Sequence, residues 1–147
     1  MKQQQDRNTA GHGPAQGPAF PQTYTREDGH LLRPELVDAE ARAEARHWHD
    51  NKITTTQLRR FLGAVRADER RFALQTGQPS DSEVQVAMMM LKTKAHYAAA
   101  REKKHQRIAN FFGHHAGLVK THKDFDHFLR HFEAVTAYHK YFEKGGN

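Results

Sequence analysis

One stretch constrains the fold more than any other. It is Phe132-Glu133-Ala134-Val135-Thr136-Ala137-Tyr138-His139-Lys140-Tyr141-Phe142. Phe125, Phe128, Phe132, Val135, His139 and Phe142 recur at steps of three and four, so they share one face of an α-helix. Ala134, Tyr138 and Tyr141 form a second stripe beside them. A helix apolar around that much of its circumference is buried on two sides. The expectation is a packed helical bundle, standing alone or touching a neighbouring subunit.

The rest of the chain reads the same way. Residues 34–147 predict an all-α, compact bundle of about five helices. Pro34 suits a first helical turn, with Glu35 and Asp38 at the positive end of the dipole. This first helix, to about His49, has only Leu36, Val37 and Trp48 as large apolar residues, which predicts a place on the outside. Thr54 with Gln57 fits a capping box, and Ile53 with Leu58 a hydrophobic staple. Leu58, Phe61, Leu62, Val65 and Phe72 then make a buried stripe. Ser80 with Glu83 opens a third helix. Its stripe of Val84, Met88, Leu91, Ala95 and Ala98, widened by Val86, Met89 and Met90, predicts the central helix. A fourth helix is expected over about Lys103–Lys120. Gly113 and Gly117 each weaken it by about 1 kcal/mol relative to Ala, which predicts a kink or a close helix approach. A fifth covers about Asp124–Glu143, ended by Gly145-Gly146.

Residues 1–33 differ in character. Gly11, Gly13, Pro14, Gly17, Pro18, Pro21 and Gly29 break any periodicity, and the segment has too little apolar surface to offset its ordering entropy. A disordered Gly/Pro/Gln-rich tail is expected there. Its start is polar and lacks the apolar core of a signal peptide.

Composition removes several function classes. There is no cysteine, which excludes disulfides and thiolate metal sites and fits a reducing cytoplasm. No stretch approaches the ~20 apolar residues that span a membrane. No phosphate-binding glycine loop, GxSxG or HExxH occurs, and Ser80 and Ser82, the only serines, read as caps. No catalytic residue, cofactor or metal is therefore expected, and the chain reads as a non-enzyme.

Twelve histidines and a net charge of +6 remain to be explained. His127 and His131, four apart, share a helix face, and with His139 they offer one alternative, a histidine-rich metal-binding helical protein. The ligand pattern is incomplete, so surface imidazoles are the simpler expectation. The cations are more telling. Lys92, Lys94, Arg101, Lys103, Lys104 and Arg107 fall within 16 residues, opposed only by Glu102. If the helix continues, Lys94, Tyr97, Arg101 and Lys104 share a face. Cations around one aromatic suit a nucleic-acid backbone with base stacking. The opposing expectation is a solvated helix face with Tyr97 in the core. A stand-alone helical nucleic-acid-binding protein is a further alternative, although no helix-turn-helix signature is present.

Three blocks together, Ile53–Leu62, Leu91–Arg101 and Phe132–Phe142, resemble in order and spacing the small subunit of type III-A (Csm) CRISPR effector complexes. The resemblance implies a compact helical protein without catalytic activity. Several copies would stack head to tail as an inner filament along the guide RNA–target RNA duplex. The backbone and large subunits would be partners, the chemistry would belong to them, and no membrane would be involved. Carried onto matching positions, the basic wall comprises Arg59, Arg60, Lys92, Lys94, Arg101, Arg130 and Lys140, with Lys104 added by the charge pattern.

Overall fold

The computed structural model describes residues 17–147. The described residues form five α-helices: α1 (Ala39–Asp50), α2 (Thr55–Leu74), α3 (Asp81–Arg101), α4 (Gln106–Leu118) and α5 (His122–Glu143). Short 3-10 turns at Pro34–Val37 and Lys103–His105 precede α1 and α4. Among the described residues the only β pairing is an isolated bridge between Thr25 and Leu32. Among the described residues no helix is long and apolar enough to cross a membrane.

Helix starts follow their caps. Thr54 accepts from the Gln57 amide and Gln57 reaches back to the Thr54 amide at 3.0 Å, so the expected box forms. At α3 only half of the box is made, the Ser80 hydroxyl accepting from Glu83 N–H at 3.1 Å. A second full box, Thr121 with Asp124, opens α5 two residues earlier than the apolar stripe indicates. α1 ends differently. Lys52 adopts φ 66°, Ile53 N–H bonds the Trp48 carbonyl and Lys52 N–H bonds that of His49. This left-handed closure satisfies the last carbonyls of the helix and turns the chain sharply into α2.

α5, not α3, is the central helix. It packs against α1, α2, α3 and the first 3-10 turn. Phe125, Phe128, Phe132, Val135, His139 and Phe142 are all buried, as the stripe predicts, and Leu129 is buried beside them. Phe111 and Phe112 of α4 meet α5 through their rings, with centroids 5.4 Å apart for Phe112–Phe132 and 5.8 Å for Phe111–Phe132. Each such buried Phe contributes roughly 1.5–3 kcal/mol by burial, and edge-to-face pairs add about 0.5–1.5 kcal/mol. α3 fails as the centre because Val86, Met89 and Met90 point away from Val84, Met88 and Leu91. They are 57%, 45% and 68% exposed. α1 lies deeper than its few large residues imply. Ala41 and Ala45, one turn apart and fully buried beside Trp48, let its backbone approach α5. α4 runs unbroken through Gly113 and Gly117, and a Cβ at Gly117 would meet only open space. No kink or tight approach required those glycines.

Residues 17–33, expected within a disordered tail, are instead laid against the bundle as a strap. Residues 1–16 of that expected tail lie outside the described residues. The strap holds because its few apolar groups are well spaced. Tyr24 is buried and its hydroxyl meets His115 Nδ1 at 2.5 Å. Phe20 stacks on His114 at 5.1 Å and lies under the Arg107 guanidinium at 3.9 Å. Gly17, at φ 91°, passes so close to Arg107 that a Cβ would sit 2.9 Å from the guanidinium. Only glycine fits there without displacing the arginine.

Candidate nucleic-acid interface

α2 and α3 frame an open cleft of about 630 Å³. Gln57, Arg60 and Phe61 line it from α2, at helical spacing. Lys94, Tyr97, Ala98 and Arg101 line it from α3, and Glu102 and His105 close one end. The capping residue of α2, Gln57, thus also serves as cleft wall. Arg60, Lys94 and Arg101 are exposed. Tyr97 is 66% exposed, with the Arg101 guanidinium 6.0 Å from its ring centre. The expectation of a core tyrosine is therefore excluded. Burial raises the Asp68 carboxyl from its ordinary value, and Arg71, which pairs with it at 3.3 Å, and Lys94 pull it back down.

The other basic positions separate. Arg59 is exposed one residue before Arg60, a third of a turn away. The Lys92 stem runs along α4 beside Gly113, on the opposite side of α3 from Lys94. α3 does not continue to Lys104. Glu102 is extended (φ −142°, ψ 121°) and breaks the helix, so Lys104 leaves the expected face and pairs with Glu102 at 3.4 Å. Arg107 leaves the basic surface altogether. Its guanidinium grips both oxygens of buried Glu44, at 2.7 and 2.5 Å, and bonds the Pro18 carbonyl. On α5, Arg130 shares Glu133 with Arg66 of α2, at 3.0 and 3.1 Å. Lys140 is exposed in the last turn of α5, outside the cleft.

Of the pair expected at the surface, His127 is half-buried and His131 is fully buried. His105, His115, His131 and His139 are buried. His131 donates to the Leu36 carbonyl at 2.6 Å and His139 to the Ile53 carbonyl at 2.7 Å. Each distant carbonyl lets a neutral imidazole occupy a site that a phenylalanine would fill. Burial drives His115 well below its ordinary value of 6.5, with neighbouring His131 and His114 adding to the shift. His131 and His139 are also lowered by burial, against the upward pull of their carbonyl bonds. His127, His131 and His139 do not converge on one point. His127 lies near Tyr24, His131 faces Phe111 and His115, and His139 faces His49 and Glu143.

Fold and site together define a small all-helical protein with a cationic, aromatic-bearing cleft on one side. A family model described as Csm2 Type III-A matches residues 32–145. The chain belongs to that family and is a small subunit of the type III-A Csm CRISPR complex. No curated protein and no solved structure matches it.

Proposed function

We propose that this subunit is non-catalytic and contacts RNA along the α2–α3 cleft, stacking in several copies within the complex. One observation carries the reading. Two consecutive helices bring three exposed cations around one exposed tyrosine. Arg60, Lys94 and Arg101 neutralise backbone phosphates, and Tyr97, backed by Arg101, offers a face for a base. Sequence selectivity comes from guide–target pairing, and the protein reads backbone charge and shape. Arg59 extends the basic wall beside Arg60. Lys92, Lys104, Arg130 and Lys140 lie beyond the cleft and act, if on RNA, on neighbouring stretches of the strand. The exposed Val86, Met89 and Met90 face of α3 supplies apolar area for a neighbouring subunit.

The test uses the reconstituted complex. Removing Arg60, Lys94 and Arg101 together should lower target-RNA retention and flatten its salt dependence, by about 0.7 in log–log slope for each single-strand phosphate left without its cation. Tyr97→Ala should weaken retention by about 1–3 kcal/mol and Tyr97→Phe should not. A triple variant that assembles and holds RNA as the parent does, with the parental salt slope, would sink the assignment.

A further inference from the structure

The last turn of α1 and the last turn of α5 meet beside the loop at Ile53, away from the cleft. There one ring nitrogen of His49, one of His139 and a carboxylate oxygen of Glu143 lie within 4.8 Å of one another. We propose that these three side chains bind a divalent transition-metal ion of the zinc type, which staples the ends of the two helices. This site is independent of the RNA reading.

The donors have the right chemistry. Two imidazoles and a carboxylate with an open fourth position form a recurrent zinc set. Zinc bonds of about 2.0–2.2 Å place tetrahedral ligand atoms roughly 3.3 Å apart, so a small side-chain rotation closes the shell. His139 and Glu143 are four residues apart on one helix face, and the edge of the His139 ring lies 3.7 Å from Glu143 Oε1. His49 arrives from a second helix, its ring centre 6.1 Å from that of His139. Glu143 is exposed, which leaves the fourth position open to water.

The surroundings hold these groups in place. The Thr55 hydroxyl donates to Glu143 Oε2 and orients the carboxylate. His139 Nε2–H donates to the Ile53 carbonyl, and this kind of outer bond fixes the tautomer and ring plane of a ligand histidine. That tautomer leaves the lone pair on His139 Nδ1, which is buried and has no hydrogen-bond partner, and Nδ1 is the nitrogen assigned to the ion. The Ile53 carbonyl is aimed by the left-handed turn at Lys52. Both helices also present their C-terminal, negative ends here, which favours a cation.

The experiment takes the full chain, purified without an affinity tag and stripped by chelator. It is titrated with Zn²⁺ by calorimetry, and with Co²⁺ followed by visible ligand-field absorption. The expected result is one tight Zn²⁺ per chain and a four-coordinate Co²⁺ spectrum that Zn²⁺ displaces. His49→Ala and Glu143→Gln should each lose that spectrum and the tight site while far-ultraviolet dichroism stays unchanged. His49→Gln stands in should the alanine variant fold poorly. Thr55→Val should weaken binding by about 10-fold. His96→Ala, at an exposed histidine elsewhere, should bind as the parent does. No stoichiometric binding would overturn the proposal. So would parent, His49 and Glu143 variants that bind Zn²⁺ alike, because scattered surface histidines would then be the source.

Discussion

Arg101 and Arg107 stand six residues apart in one basic run, and each guanidinium lies over an aromatic ring. Their fates are opposite. Arg101 sits loosely over exposed Tyr97, facing solvent at the mouth of the cleft. Arg107 lies 3.9 Å over Phe20, bound to buried Glu44 and to the Pro18 carbonyl. The helix break at Glu102 separates them: Arg101 ends α3 and Arg107 belongs to α4. A charge run in a sequence is thus not yet a charged surface. One turn of backbone decides whether a cation is offered to a ligand or closes the strap onto the bundle.

The strongest way to break this contrast is to remove the partner of Arg107. Glu44→Gln leaves a cation buried among Phe20, His47 and the strap, and removing one member of a buried pair costs about 3–5 kcal/mol. Chemical denaturation should show a destabilisation of that size, with protease cleavage within 17–33 appearing early. Arg101→Ala should stay within about 0.5 kcal/mol of the parent in the same assay. Equal destabilisation in the two variants would mean that Arg101, too, is structural.

Acid should separate the two sides by a smaller margin. His115 and His131 lie behind the strap and are held neutral by burial. The unfolded chain takes up protons near the ordinary value of 6.5, whereas the folded chain does so only at lower pH. Stability is therefore complete above about pH 6.5 and falls below it, by up to about 1.4 kcal/mol per pH unit for each of the two groups. Denaturation midpoints between pH 7.5 and 5.5 would measure this. Amide exchange should rise first at Tyr24 and the neighbouring strap residues, before the α2–α3 side. A midpoint independent of pH over that interval would show that these imidazoles titrate alike in the folded and the unfolded chain.

How much of this was legible in the sequence follows from the distance over which each feature is decided. The α5 stripe was readable because rings at steps of three and four specify their own buried face. The caps at Thr54 and Ser80 were equally local, and the Thr121–Asp124 box could have been found by the same rule. The buried histidines were not readable. His131 is placed by a carbonyl 95 residues away and His139 by one 86 residues away. The cleft was half readable. Arg60 and the Lys94–Arg101 row were recognisable separately, but only packing brings them together. The strap was missed because Phe20 and Tyr24 have no period, and their partners, Arg107, His114 and His115, lie on another helix.

The smallest expected effect sharpens the comparison from the other direction. Gly63 lies in α2, one of the two cleft helices, and Gly117 in α4, the helix that carries the strap's partners; both are exposed, and a Cβ at either meets nothing within 4 Å. Both backbones are helical, so alanine at each should stabilise the protein by about 1 kcal/mol, through helix propensity and a less mobile unfolded chain. The two gains should be equal and additive, since the sites share no partner. Equal gains would locate the difference between cleft and strap in their side chains, because the helices beneath both would be equally sound. A gain at Gly63 with a loss at Gly117 would mean that α4 must flex under the strap, and the closure through Tyr24 and Arg107 would then be a moving contact rather than a fixed one.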